Sequence, residues 1–300
     1  SYAQSAGVSL RTNRYPNIQS ASDLVERWSP DQHLYVKGDL GIGGRQLESL
    51  ETWLDQNAPH WTIALFRNAN GENYRSLDQR SFRGMDAVEF ALGRGLALRT
   101  NFSEWRHPQT GETDGAVFVL FLDERKFSYY ASVAQDVRGL GESHWVGELD
   151  RPAFRAMRGG GRILDAVKDT VLNINQRLSQ RIAAEVEQAE REARAQQRAV
   201  AHLGADISSL LSSISTVGEK AASLQQTLPE ASGELTKPPI LKWQKSLEQT
   251  RESLSSETLA QSKRAFESVS HEVESLLHAY AEHDSWSERN TELKQRIDQI

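Results

Sequence analysis

Residues 116–122 read AVFVLFL, seven apolar residues in a row. A run of that length suits a strand covered on both faces, so it marks the centre of a sheet. Asp123-Glu124-Arg125 then turns the chain into Lys126–Ala134 (KFSYYASVA), whose aromatic and β-branched residues suit a paired strand, and Gly139–Gly141 breaks it. Upstream, Trp61–Arg67 (WTIALFR) reads as a strand followed by turn residues Asn68–Gly71, and His33–Lys37 as a shorter strand. Between them, the glycine-rich turn Gly38–Gly44 leads into Arg45–Gln56. Leu47, Leu50 and Leu54 there fall on one helical face, and Asn57-Ala58-Pro59 ends the helix. Phe82–Leu98 offers Phe82, Met85, Val88 and Leu92 as a second amphipathic helix. Pro152–Arg158 and Ile163–Asn173 read as helices divided by Gly159-Gly160-Gly161. Helices alternating with a mostly buried sheet give a layered α/β domain over residues 32–172. Residues 1–31 are polar and aperiodic and read as a tail, with a short helix around Ser22–Trp28 capped by Ser22.

The character changes beyond residue 172. From Val171 to Leu228 no strand candidate occurs. Val200, Leu203, Ile207, Leu210, Ile214, Val217, Ala221, Leu224 and Leu228 recur three and four residues apart. That heptad is the mark of a coiled-coil seam. The charged stretch upstream, through Arg198, reads as a solvated helix. Residues 229–239, with three prolines and Gly233, form a hinge. Helical spacing then resumes through Leu259, Phe266, Val269, Val273, Leu276 and Tyr280, and again through Leu293, Ile297 and Ile300. Residues 173–300 therefore read as an all-α antiparallel coiled-coil hairpin. Leu203, Ile207, Leu210, Ile214, Val217, Phe266, Val269 and Val273 would be the seam through which this arm binds protein partners.

Composition narrows the function classes. The 300 residues carry 35 basic and 41 acidic side chains, a net charge of −6, so no nucleic-acid-binding surface is expected. The absence of cysteine removes disulfides, thiol nucleophiles and cysteine-ligated metals. No apolar run reaches the ~20 residues of a membrane-spanning helix, so no transmembrane segment is expected. Histidines stand singly, without a His-Glu-x-x-His pair, and no Gly-x-Ser-x-Gly elbow occurs.

Two kinds of site remain. Gly38–Gly44 can present backbone N–H groups to a phosphate or simply be a tight turn, and Arg158–Arg162 (RGGGR) can grip an anion or break a helix. Asp39, Asp114, Asp123 and Asp136 sit at strand ends. Carboxylates so placed either close turns or converge on a hard cation such as Ca²⁺ or Mg²⁺.

Residues 35–172 resemble the TPM family, named for thylakoid-lumen, photosystem-repair and receptor-modulator proteins. The resemblance rests on Asp39-Leu40-Gly41-Ile42-Gly43 before Leu47, Leu50 and Leu54, and on Gly115 opening AVFVLFL, followed by Asp123-Glu124-Arg125 and KFSYY. Gly139-Leu140-Gly141-Glu142, Asp150 and Pro152-Ala153-Phe154 continue it. It implies a small α/β sandwich with a central mixed sheet, on the outer side of a membrane. Family members are described as acid phosphatases, calcium binders, and assembly or repair factors of membrane complexes. The expected function is an extracytoplasmic adaptor or assembly factor of a membrane-associated complex, acting through the helical arm. The alternatives are a divalent-metal-assisted phosphomonoester hydrolase using the four aspartates, or a calcium-ordered binding module.

Overall fold

A computed structural model describes residues 14–141, 151–159, 162–227, 233 and 235–299. The chain packs as two units, Ser1–Val186 and Glu187–Ile300. In the first unit, α1 (Ala21–Arg27) leads to β1 (Leu34–Lys37), α2 (Gly44–Asn57) and β2 (Trp61–Phe66). A small hairpin, β3 (Asn73–Arg75) and β4 (Ser81–Arg83), precedes α3 (Gly84–Phe90) and α4 (Thr100–Glu104). Then come β5 (Ala116–Phe121), β6 (Lys126–Tyr130), α5 (Val133–Asp136), α6 (Arg151–Met157) and the first part of α7 (Ile163–Thr227).

The sheet order is β1-β2-β5-β6, mixed as expected. The first three strands are parallel, with Leu34 opposite Ile63 and Trp61 opposite Ala116, while β6 runs antiparallel to β5. Every residue of β2 and β5 is buried, as the unbroken apolar run requires. Alternate side chains serve two cores. One gathers Leu34, Ile63, Phe118 and Leu120 with Leu47, Leu50 and Leu54 of α2 and Val167, Val171 and Ile174 of α7. The other gathers Tyr35, Phe66, Val119 and Phe121 with Leu24 of α1 and Val88, Leu92, Leu96 and Phe102. The two parallel crossovers step the same way across the sheet. Because α2 covers one face and the segment around α3 the other, the crossovers have opposite hand, although nearly all such units are right-handed.

Four local readings change. Residues 14–31 are not a tail, because Tyr15, Ile18, Leu24 and Trp28 are buried and the segment bonds to the sheet. Asn17 accepts from Val36 N–H at 2.7 Å and donates to Leu34 O at 3.1 Å, and the Tyr15 hydroxyl donates to Glu51. The α1 cap is Ser20, whose Oγ accepts from Asp23 N–H at 3.0 Å, rather than Ser22. Phe82 lies in β4, and the helix after it passes through a π turn (Ala91–Gly95) and a 3₁₀ turn (Leu96–Leu98). Gly93 is required there, since a Cβ would sit 2.5 Å from the Tyr130 ring. Finally, β6 ends at Tyr130, and Ser132 accepts from Gln135 N–H to open α5.

Helix α7 runs without a break for 65 residues. Its Leu178 and Ile182 are buried with Leu140, so the core of the α/β unit continues past residue 172. Residues 183–198 are wholly exposed, and the i,i+4 pairs Glu187–Arg191 and Glu190–Arg194 support the helix there.

The second unit holds the end of α7, α8 (Ile240–Glu252) and α9 (Leu259–Asp298). It is a three-helix, up-down-up packing rather than a two-helix hairpin. Gly204 lies against Leu254, Lys220 pairs with Asp284 at 3.0 Å, and Trp243 Nε1 donates to Glu272 at 2.7 Å. Helices α7 and α9 are therefore parallel, with α8 reversed. The break is at Ser253–Thr258, where Thr258 Oγ1 donates to Ser253 O at 2.6 Å and accepts from Ser255 N–H at 2.9 Å. Hydroxyl side chains that bond the local backbone compete with helix continuation.

Candidate functional site

The four aspartates divide between opposite ends of the sheet. Asp39 follows β1 and Asp123 follows β5, so both lie at the carboxyl ends of the parallel strands. Asp114 precedes β5, and Asp136 ends α5, whose Ala134 N–H donates to Thr113 O at 3.1 Å. These two lie at the other end. Six residues of strand separate the pairs, a span of about 20 Å. One cation cannot bridge that distance, so the residues do not fit the expected shared Ca²⁺ or Mg²⁺ site. Among the described residues, no group of three or more His, Asp or Glu side chains gathers in metal-binding proximity. Glu142 and Asp150 lie outside the described residues.

Three of the four aspartates have local work. Asp39 is exposed and accepts from Gly41 N–H at 2.8 Å, closing a turn. Asp123 pairs with Arg67 at 2.7 Å and accepts from Asn68 Nδ2 at 3.0 Å, fastening the loops after β2 and β5. Asp136 is exposed. Burial raises the pKa of the Tyr129 hydroxyl well above its ordinary value, and the nearby charges of Asp114 and Asp136 raise it further.

Asp114 joins a residue that sequence spacing could not link to it. His60 Nδ1 stands 2.7 Å from Asp114 Oδ2, and its ring stacks on Trp105 with centroids 5.1 Å apart. A cavity of about 200 Å³ opens beside them, lined also by Trp61, His107, Asn175 and Ser179. Asn175 Oδ1 accepts from Trp61 Nε1 at 2.9 Å, so one wall is fixed. With the carboxylate accepting from Nδ1–H, Nε2 of His60 is the basic nitrogen, an arrangement able to move a proton. His60 and Asp114 lie at the starts of adjacent parallel strands but 54 positions apart in the chain. Neither belongs to a short motif.

A larger depression, about 640 Å³, has Ile42 of the first glycine-rich segment and Arg162 of the second in its lining. It lies between the first turn of α2 and the first turn of α7 and is lined by Arg45, Ser49, Arg162 and Lys168, with Asp165 opposing them. Its positive balance suits an anion electrostatically.

The second unit corrects the expected interaction surface. Leu203, Ile207, Leu210, Ile214, Val217, Val269 and Val273 are buried against one another and against Trp243 and Leu247, with Phe266 packed partly buried at the margin. Three apolar stripes satisfy each other inside the bundle, so this seam is not a free surface. The exposed apolar stripe lies further along. Trp286, Leu293 and Ile297 are 61%, 55% and 67% exposed on α9, and Trp286 lines a cavity with Ser223, Leu224 and Thr227 of the last described turn of α7. Their spacings of seven and four put them within about 40° on one helical face. Comparison with family models, with curated proteins and with solved structures gave no match.

Proposed function

We propose that this chain is an extracytoplasmic adaptor or assembly and repair factor of a membrane-associated complex. Its α/β unit is a TPM-like fold, and its helical unit is the interaction module. What supports the first part is the order of elements around AVFVLFL: residues 39–54 fall on the β1–α2 segment, 115–130 on β5–β6 and 152–154 at the start of α6. What carries the second is the exposed stripe Trp286, Leu293 and Ile297, apolar side chains at heptad spacing that are each more than half exposed. Helices with such a stripe bind other helices. No helix among the described residues is long and apolar enough to cross a membrane.

The test is site-specific photo-crosslinking in cells that express the full chain, with the photoreactive residue at Leu293 or at Leu241, an isolated exposed leucine on α8. The adaptor reading expects one recurrent protein adduct from position 293 and none from 241. Equal adducts at both positions, or none at 293, contradict it.

A second, enzymatic reading is favoured by one observation, the His60–Asp114 pair facing a cavity with the Ser179 hydroxyl. It calls for proton transfer by His60 and does not use the metal set. Phosphomonoester turnover by the full chain that disappears in His60→Ala but persists in Asp39→Asn would support it. Turnover unchanged by His60→Ala would remove it.

A further inference from the structure

The charges beside the exposed stripe select its partner. With Trp286 and Leu293 at d positions, Asn290 and Ile297 fall at a. The flanking g positions are then Arg289 and Arg296, and the flanking e positions are Ser287 and Lys294. The acids Glu288, Glu292 and Asp298 fall at f, c and b, away from the stripe. Every charged flank of the exposed stripe is thus basic. All three cations are exposed. Among the described residues Arg289 bonds Ser285 alone, at 3.2 Å to Oγ and 3.3 Å to the carbonyl. Lys294 and Arg296 have no ion-pair partner among the described residues.

A second copy of the chain is a poor occupant. With the stripes in full register, a parallel pair sets Arg289 against Lys294 of the other copy, and an antiparallel pair sets Arg289 against Arg296. Like charges at these positions oppose pairing. Asn290 at a further restricts register, and Trp286 is the kind of large aromatic that anchors interfaces. We propose that residues 286–297 dock an amphipathic helix of another protein that carries acidic residues beside its own apolar stripe. This rests on the adaptor reading and names the chemistry of its partner.

The probes are two dye-labelled synthetic helical peptides with leucine at a and d, one with glutamate and the other with lysine at e and g. Each is titrated into the full chain by fluorescence anisotropy at about 50 mM and about 300 mM salt, conditions that change charge screening. The glutamate peptide is expected to bind at least tenfold more tightly than the lysine peptide and to weaken at the higher salt. Leu293→Asp should abolish binding with an unchanged thermal melt, and the triple variant Arg289→Glu, Lys294→Glu, Arg296→Glu should reverse the preference. Equal binding of both peptides, binding of neither, or a chain dimer in sedimentation that Leu293→Asp dissolves would overturn the proposal. A recurrent adduct from position 293 in the crosslinking experiment would leave the adaptor reading standing in each of those cases.

Discussion

Two apolar stripes run along the helices of the second unit, similar in spacing and opposite in fate. The first, Leu203 to Ala221, meets α8 and α9, and its Ile207, Ile214 and Val217 are fully buried. The second, Trp286 to Ile297, starts beside the last described turn of α7, and each of its apolar residues is more than half exposed. Their flanks differ too. Basic side chains line the second, while Glu272 and Asp284 bond Trp243 and Lys220 within the bundle around the first. Periodicity marks a face that must be covered, whereas neighbours and flanking charge decide what covers it.

Substitutions should separate the two stripes sharply. Ile214→Ala removes a fully buried side chain, so it should cost about 2–5 kcal/mol in denaturant unfolding followed by circular dichroism. A cost under about 1 kcal/mol would mean that the seam is looser than described. A smaller loss is expected where the N-terminal segment joins the α/β unit. Glu51 accepts from His33 N–H at 2.8 Å and from Leu34 N–H at 2.6 Å, and it also holds the Tyr15 hydroxyl. Glu51→Gln keeps the shape but weakens these charge-assisted bonds, by about 1–3 kcal/mol in the same assay.

A pH-dependent effect comes next. Arg138, buried, donates to Glu112 and to Glu185. The hydrogen bond from Arg138, together with one from Thr110, holds the Glu112 carboxyl below the usual glutamate range. A depressed carboxylate contributes stability that is present above its unfolded pKa, ~4.3, and is lost as pH falls through the lower folded value. Arg138→Gln should flatten that acid limb of the stability profile; an unchanged limb would show that Glu112 is not the group involved. The smallest stability effect is expected at the open stripe. Leu293→Asp or Ile297→Asp should stay within about 0.5 kcal/mol of the parent in the denaturant melt.

Much of the fold is legible where one residue pattern has one physical solution. AVFVLFL reads as a doubly covered strand, and WTIALF pairs beside it in register. The heptad from Leu203 to Leu224 is helical. Legibility fails where the deciding contact is long-range. Tyr15, Ile18, Leu24 and Trp28 have no shared period, and only the sheet they cover reveals them as core. Ser253 to Thr258 held a local signal, a run of hydroxyl residues, for the break that makes three helices of two. Asp114 was visible as a strand-end carboxylate, but its partner His60 depends on strands brought together by pairing. The division of the four aspartates between the two ends of the sheet is illegible for the same reason, because chain position does not show which end of a sheet a turn occupies.

The central claim is that the heptad seam is closed and the 286–297 stripe open. Because the chain contains no cysteine, single substitutions Val217→Cys and Leu293→Cys give a clean comparison of thiol labelling rates. Cysteine at 293 should react at the rate of a free thiol, and cysteine at 217 should react slower by a factor on the order of a thousand, the ratio set by opening of the bundle. Equal rates at the two positions would contradict the account.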